Sequence, residues 1–268
     1  MCPIFLKDKS MLNDRQQIIL EITEENGEVS YRDLCAEFPD VSEMTLRRDI
    51  QLLEKEGFVL RTRGGAVSLK TLSEQIAIPG EENEYGLRAH ENVNAKKTIA
   101  EKALPFVKKG CSIYLDAGST IMALAKLLPN ERFTIITNAT NIAQELVGKN
   151  NIQVIMLGGT LNRNTLSVSG PTAVQTIGKI NIEMAFMSSS AFTLDSGFTV
   201  SNVYEAELKQ KVISKAKKSI MLMDTSKIGK DLMFTLANID DISVLVTEAD
   251  SLPVDIVKKA NEANIELI

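Results

Sequence analysis

The second half of the chain carries polar residues whose types suit a phosphorylated small molecule. Asp116, Gly118, Ser119 and Thr120 follow the apolar run CSIYL, at the point where a helix is predicted to begin. Glycine lets a ligand approach the backbone closely, and hydroxyls together with free amides at a helix start bind phosphate. This segment therefore predicts a phosphate-binding turn.

Similar residues follow the other apolar runs of this half. Asn138 follows FTIIT, Gly158-Gly159 follows IQVIML, and the segment DTSK from Asp224 to Lys227 follows SIMLM. Lys209 lies in the predicted helix that contains EAELKQK. In an open parallel sheet, ligands bind beyond the carboxyl ends of the strands. The hydroxyls, amides, lysines and carboxylates together predict a site for a phosphorylated, polyhydroxylated molecule.

Each motif also has an ordinary structural interpretation. The segment DAGST suits a helix start, Lys209 alone suits a solvated helix face, and DTSK suits a turn after a strand. Their shared position at strand ends is what favours a binding site. An enzyme is the alternative, because Asp116, Glu205 or Asp224 could act as a base beside Lys209 in a sugar-phosphate isomerase. The sequence carries no independent sign of catalysis.

A second group of side chains, near the N-terminus, suits duplex DNA. Arginine pairs with guanine in the major groove, and threonine or methionine can contact a thymine methyl. Such residues lie in the predicted helix EMTLRRDIQLLEKE and in the following FVLRTRGGAV. The residues expected at DNA are Met44, Thr45, Arg47, Arg48, Gln51, Arg61 and Arg63. The alternative is that the two adjacent helix arginines only solvate an exposed face.

The elements that position these residues form a predicted winged helix-turn-helix. The run DRQQIILEITEEN places its isoleucines at helical spacing and ends at Gly27. Ser30 and Ser42 cap the second and third helices. The third helix repeats its buried positions at helical spacing, at Leu46, Ile50 and Leu53. Gly64-Gly65 lies between two β-rich runs, which indicates a basic hairpin after the three helices.

From residue 93 onward, apolar strand-like runs alternate with helices. The predicted strands are CSIYL, FTIIT, IQVIML, MAFMSSS, SIMLM and SVLVT, with IELI as a further candidate, and the predicted helices lie near 119–128, 139–149, 171–180, 202–217 and 253–263. This alternation predicts an α/β domain with a mainly parallel sheet covered on both faces. We expect a DNA-binding domain at 1–70 (helix-turn-helix about 29–56, wing about 58–68), a linker at 71–92 and an effector-sensing domain at 93–268.

Composition limits these expectations. The net charge is −5, and the first 70 residues hold ten Lys and Arg against thirteen Asp and Glu, so the DNA prediction depends on local placement. Three scattered cysteines without a CxxC pair argue against disulfides and a zinc site. The apolar runs are too short to span a membrane, and no secretory signal is evident. We expect a cytoplasmic protein with no membrane partner that needs neither metal nor cofactor.

The run VSYRDLCAEFPDVSEMTLRRDIQLLEKEGFVLRTRGGAV resembles the N-terminal domain of the DeoR family of bacterial transcriptional regulators. LDAGST, TNAT, LGGTLN, SVSGPTA, EAELKQ and DTSK resemble the family's C-terminal sensor domain, which is similar in fold to ribose-5-phosphate isomerase. The sequence departs from the family pattern at Arg63, which replaces a usual His, at the longer Pro39-Asp40 turn, and at MSSSAF (187–192), where glycine is more usual.

The resemblance implies an oligomeric repressor, dimer or tetramer, of a carbohydrate-utilisation operon. Its partners would be double-stranded operator DNA and a sugar-phosphate effector, acting as inducer or corepressor. By motif, the resemblance places the effector pocket at Asp116, Gly118, Ser119, Thr120, Asn138, Lys209, Asp224 and Lys227.

Overall fold

The computed structural model describes residues 12–69, 85–249 and 252–268, with Leu87 described by its backbone alone. These residues divide into two compact units. One contains residues 12–69 and 86–93, and the other contains residue 85 and the described residues from 94 onward. Residues 71–84 of the predicted linker, together with residue 70, lie outside the described residues.

Residues 12–69 of the N-terminal unit form three helices and a small antiparallel sheet. Its helices are α1 (Asp14–Asn26), α2 (Tyr31–Glu37) and α3 (Glu43–Lys55). Its strands are β1 (Glu28–Ser30), β2 (Val59–Arg61) and β3 (Gly65–Ser68), in the order β1-β3-β2. The predicted winged helix-turn-helix is confirmed.

Local signals in the sequence explain where these helices begin and end. The side chains of Ser30 and Ser42 accept hydrogen bonds from backbone amides in the first turns of α2 and α3, as predicted. Gly27 ends α1 with a φ of 81°, which favours glycine. Asn13, which the sequence analysis overlooked, caps α1 in a reciprocal capping box with Gln16. The predicted stripe of α3 is fully buried, at Leu46, Ile50 and Leu53.

The C-terminal unit is built on a seven-stranded sheet in which every pair of neighbouring strands is parallel. The strands of this sheet are β4 (Ser112–Leu115), β5 (Phe133–Thr137), β6 (Ile152–Met156), β9 (Ile182–Ser188), β12 (Ala216–Leu222), β14 (Val244–Val246) and β15 (Glu266–Leu267). Their order is β15-β14-β12-β9-β4-β5-β6. The predicted α/β class and parallel sheet are confirmed.

Two helices precede the first strand of this sheet: α4 (Tyr85–His90), which lies mostly in the N-terminal unit, and α5 (Val93–Ala103). Five more helices lie between or after the strands: α6 (Ser119–Leu127), α7 (Thr140–Val147), α8 (Pro171–Ile177), α9 (Val203–Lys215) and α10 (Val254–Glu262). The five predicted helices correspond to α6 to α10. Helices α4 and α5 were not predicted, and His90, placed in a solvated linker, is exposed in α4.

Both faces of the sheet are buried, which explains the continuous apolar runs of its strands. On β4, Ile113 and Leu115 belong to one hydrophobic cluster, whereas Tyr114 belongs to the cluster on the other face. On β9, Phe186 and Met187 alternate in the same way. A strand with two buried faces has no polar alternation to reveal its register, but its apolar length is a clear signal.

Two short antiparallel elements were not predicted. A hairpin joins β7 (Thr160–Asn162) to β8 (Ser167–Ser169), and a three-stranded sheet has the order β10 (Ala191–Thr193), β11 (Gly197–Val200), β13 (Phe234–Ala237). Strands of three or four residues are too short for a recognisable alternation. Within the described residues, no helix is both long and apolar enough to cross a membrane.

Candidate functional site

The exposed face of α3 carries three of the residues predicted to contact DNA. Met44 is 62% exposed, and Arg48 and Gln51 are also exposed. They lie opposite the buried stripe of the helix, on successive turns. Helical geometry therefore presents their side chains together, as a helix that enters the major groove requires.

The other two predicted residues of α3 are engaged within the N-terminal unit. Thr45 is half-buried, and its Oγ1 lies 2.9 Å from Ser42 Oγ at the helix cap. The guanidinium of Arg47 donates from Nε to Glu43 Oε1 at 2.8 Å and lies 4.0 Å above the ring of Tyr31. These two side chains therefore flank the exposed face and hold its start in place.

The predicted wing is a hairpin whose arginines are exposed. Arg61 Nε lies 3.5 Å from Glu54 Oε2, and Arg63 lies in the turn between β2 and β3. The turn is closed by the Thr62 amide, which donates to the Gly65 carbonyl at 3.0 Å. A Cβ on Gly65 would lie 1.9 Å from the Val29 carbonyl oxygen, so glycine is required where β3 meets β1.

A buried carboxylate in the helix-turn-helix was missed by the sequence analysis. Asp49 of α3 is 5% exposed and accepts hydrogen bonds from Arg15 Nε at 2.6 Å and Gln16 Nε2 at 2.8 Å. These bonds tie α1 to α3. An aspartate between Arg48 and Ile50 in an amphipathic helix gives no sign of burial, because its partners lie more than thirty positions away.

The strand order of the larger sheet has a switch point between β4 and β9. From β4 the chain proceeds outward to β5 and β6, then returns to β9 and proceeds to β12, β14 and β15 on the other side. Such a point opens a crevice at the carboxyl ends of the two central strands. Asp116 follows β4 and Ser188 ends β9, so both lie at this position.

The switch point holds a buried charged cluster centred on Lys209. Its Nζ donates to Asp116 Oδ2 and to the Ser188 carbonyl at 2.9 Å, and lies 3.1 Å from Glu205 Oε1. The Ser188 amide and Oγ donate to the same Asp116 oxygen at 2.9 and 3.0 Å. The second oxygen, Asp116 Oδ1, is buried and has no hydrogen-bond partner among the described residues.

The predicted phosphate-binding turn lies beside this cluster. Gly118 precedes α6, where no side chain caps the helix amides. A Cβ on Gly118 would lie 2.7 Å from Ser188 Oγ, so the turn and the end of β9 are closely packed. Thr120 is buried, whereas Ser119 is half-exposed at the helix start.

Asn138 has a structural role in this conformation. Its Oδ1 accepts from Tyr114 Oη at 2.9 Å, and its Nδ2 donates to the Val168 carbonyl at 3.1 Å. Burial raises the pKa of Tyr114 well above its ordinary value, so the phenol remains protonated and donates. Asn138 thereby ties the β7–β8 hairpin to the end of β5.

The segment DTSK follows β12, as predicted. Asp224 is buried and accepts from Ser226 Oγ, and Lys227 Nζ donates to the Ser189 carbonyl at 2.9 Å. Thr225 donates from its amide and from Oγ1 to Glu248, at 3.1 and 2.5 Å. The side chain of Lys227 remains 21% exposed.

The structure brings the predicted effector residues to one edge of the sheet but buries most of them. Asp116, Asn138, Lys209 and Asp224 are at most 1% exposed, so Ser119 and Lys227 are the more accessible of the predicted residues. Ser188 was not predicted as a site residue, although it lies in the segment 187–192, where the sequence departs from the family pattern. Glu205 was considered solely as a base, although its spacing of four from Lys209 indicates an ion pair.

Across residues 12–69, 85–249 and 252–268, no group of three His, Cys, Asp or Glu side chains is placed to hold a metal ion.

Two family models match the chain. The DeoR-like helix-turn-helix domain matches residues 15–72, and the DeoR C terminal sensor domain matches residues 91–249. An uncharacterized HTH-type transcriptional regulator of Bacillus subtilis, YulB, is 35% identical over 92% of this chain and 92% of its own length. The L-fucose operon activator of Haemophilus influenzae is 31% identical over 95% of this chain and 98% of its own length.

Among solved structures, ribose 5-phosphate isomerase A from Methanocaldococcus jannaschii matches 52% of this chain and 55% of its own, with 17% identity and a TM-score of 0.38. The matches to the two family models, together with the near full-length relatives, show that the chain belongs to the DeoR family of transcriptional regulators, with an N-terminal DNA-binding domain and a C-terminal sensor domain.

Proposed function

We propose that this regulator is a repressor of a carbohydrate-utilisation operon, and that a phosphorylated sugar bound at the switch point controls its affinity for the operator. The observation that supports the effector is the uncapped start of α6, which lies beside a buried cluster of one lysine and two carboxylates. Free helix amides attract phosphate, and carboxylates accept hydrogen bonds from sugar hydroxyls.

The proposed site has a rim and a floor. Ser119 and Lys227 form the rim, where a phosphate would meet a hydroxyl, helix amides and an ammonium group. Asp116 forms the floor, where its unpartnered Oδ1 would accept from a sugar hydroxyl. An unsatisfied buried acceptor costs about 1–3 kcal/mol, which such a hydroxyl would recover. Since Oδ1 is buried, effector binding requires a small opening of the turn before α6.

The DNA interface proposed here uses α3 and the wing. The exposed face of α3 would lie in the major groove, while Arg61 and Arg63 would contact phosphates or the minor groove beside it.

Helix-turn-helix proteins commonly bind paired half-sites as symmetric oligomers, so we propose a dimer or tetramer on a palindromic or repeated operator.

The sign of regulation needs its own test, because one relative bears the name of an operon activator. In transcription reactions with purified polymerase, we expect the protein to lower the yield from a promoter that overlaps its operator. If the protein raises the yield instead, and the effector abolishes that rise, the protein is an activator.

We propose sensing and not catalysis for the switch point. Lys209 contacts two carboxylates and a carbonyl, and Asp116 is buried. In this conformation, therefore, neither side chain can reach a substrate to transfer a proton. Incubation with ribose 5-phosphate and related esters should give no ketose product at enzyme-like rates. Such turnover would favour the isomerase alternative.

Thermal unfolding with a panel of sugar phosphates tests the effector site directly. At a concentration 100-fold above its dissociation constant, the effector should add about 2.7 kcal/mol to the free energy of unfolding. Ser119→Asp should abolish that stabilisation by repelling the phosphate, whereas Ser119→Ala should keep most of it because the helix amides remain. If Ser119→Asp binds as well as the wild type, the phosphate lies elsewhere.

A further inference from the structure

The two adjacent arginines of α3 have different surroundings. Arg47 is exposed to 45%, but one edge and one face of its guanidinium are occupied: Nε and Nη2 lie 2.8 and 2.7 Å from the same oxygen, Glu43 Oε1, and the ring of Tyr31 lies beneath its plane. Arg48 is exposed and makes no hydrogen bond or ion pair with the described residues. Two neighbouring residues of one type therefore differ in what they are free to bind.

The partners of Arg47 belong to the scaffold of the helix-turn-helix. Tyr31 is the first residue of α2 and is 6% exposed, so its ring is fixed by the core. Glu43 is the first residue of α3, where the helix dipole favours a carboxylate, and its position four residues before Arg47 favours the ion pair. Arg47 thus connects the start of α2 to the start of α3.

The surroundings of Arg48 suit contact with bases. Met44 and Gln51 lie one turn away on either side of it, and all three are exposed on the face opposite the core. A guanidinium without protein partners keeps all its donors for the bidentate bond to guanine O6 and N7. Arg47 would first have to leave both Glu43 and Tyr31 to make that bond.

We propose that Arg48 is the specificity-determining arginine of α3, and that Arg47 is a positioning residue that fixes the start of α3 against α2 through Tyr31 and Glu43. The inference rests on the proposed insertion of α3 into the major groove. The sequence motif predicts DNA contact for both arginines, whereas this inference assigns base recognition to Arg48 and positioning to Arg47.

Selection of binding sites from random duplex DNA, with the full chain, tests the proposal. Arg48→Ala should flatten the base preference at one position of each half-site and weaken binding to the selected operator by about 5- to 150-fold, as loss of one bidentate contact does. Its affinity for random DNA should change less than the affinity for the operator. Arg47→Ala should weaken binding but select the same bases as the wild type.

A double-mutant cycle distinguishes positioning from simple charge loss. Glu43→Gln keeps the shape of the side chain and removes its charge, so its effect on operator affinity should be non-additive with that of Arg47→Ala. It should be additive with that of Arg48→Ala. Tyr31→Phe keeps the ring and should behave as the wild type, whereas Tyr31→Leu should resemble Arg47→Ala if circular dichroism shows that it is folded.

The outcomes separate this inference from the proposed function. If Arg47→Ala flattens the base preference, or if Arg48→Ala leaves it unchanged while the wild type selects a defined operator, the division of roles is wrong. If the wild type selects no preferred sequence at all, the proposed use of α3 is wrong as well.

Discussion

Lys209 carries one positive charge against two buried carboxylates. Asp116 and Glu205 both contact its amine, and all three side chains are at most 10% exposed. Taking a charge out of water costs several kcal/mol, which an ion pair offsets only while its partner is present. The cluster therefore depends on the lysine more than on either acid.

Replacing this lysine by an apolar side chain of similar length tests that dependence. Lys209→Met should lower the free energy of unfolding by about 3–5 kcal/mol, because two buried carboxylates lose the ammonium group that contacts both of them. Lys211→Met, two residues further along the same helix and half-exposed, should change it by less than about 0.5 kcal/mol. Urea denaturation followed by far-ultraviolet circular dichroism measures both values.

Removing one of the acids should partly compensate for the loss of the lysine. Asp116→Asn in the Lys209→Met background should recover part of the lost stability, since one buried charge is then eliminated. If the double variant is less stable than Lys209→Met alone, the Asp116 carboxylate is held by its bonds to Ser188 and not by the lysine.

At the level of residues, the sequence predicted which side chains gather at the strand ends but not how they are used. Asp116 and Asp224 were placed correctly because each follows an apolar strand. Burial of Lys209 could not be predicted, since its partner Asp116 lies 93 positions away in the chain. The same holds for Ser188, which reaches Asp116 across 72 positions through the pairing of β4 with β9.

At the level of elements, the wing depends on the close approach of β3 to β1. Gly65 pairs with Ser30, and its Cα faces the backbone of Val29 so closely that a methyl group would overlap the carbonyl oxygen. Gly64, the preceding residue, has open space around the corresponding position. The two glycines of the wing motif therefore have different requirements.

This difference gives a matched pair of variants. Gly65→Ala should separate β3 from β1 and cost about 1–3 kcal/mol of stability, as overpacking does, whereas Gly64→Ala should be nearly neutral. Hydrogen exchange at residues 28–30 and 65–68, together with operator affinity, measures the effect. Equal protection in the two variants would mean that the wing relaxes around the added methyl group at little cost.

Helices and strands with a long hydrophobic pattern could be predicted from the sequence, whereas short strands without such a pattern could not. The stripe of α3 and the apolar length of β9 are signals that a single sequence contains. The three residues of β7 contain no such signal, and their partner strand β8 is in turn bonded to Asn138, which donates to the Val168 carbonyl. Short strands are defined by the neighbours that fold against them, which a local pattern does not reveal.

At the level of the whole molecule, a regulator must couple its effector to its DNA. Tyr85, the first residue of α4, belongs to the C-terminal unit, residues 86–93 belong to the N-terminal unit, and the chain returns to the C-terminal unit at Asn94. The Tyr85 amide donates to the Asn164 carbonyl at 2.6 Å, in the turn of the β7–β8 hairpin. Through Val168 and Asn138, that hairpin is bonded to the proposed effector edge.

This series of hydrogen bonds predicts that Tyr85→Pro weakens the coupling. Proline lacks the amide hydrogen but is tolerated at the first residue of a helix, so the fold should be preserved. Allosteric coupling commonly changes affinity by about 5- to 150-fold. In Tyr85→Pro the ratio of operator affinities with and without the effector should approach one, while each ligand alone binds within about threefold of its wild-type affinity. Fluorescence anisotropy and calorimetry measure these quantities.

Tyr85→Ala is the matched control, because it removes the ring and keeps the amide. It should retain the wild-type ratio if the backbone bond is what matters. The same ratio must appear in reverse, as the change in effector affinity caused by operator DNA, since coupling between two binding sites is reciprocal. If Tyr85→Pro keeps the full ratio in both directions, the effector signal does not pass through the β7–β8 hairpin, and the start of α4 is only a connection between the two units.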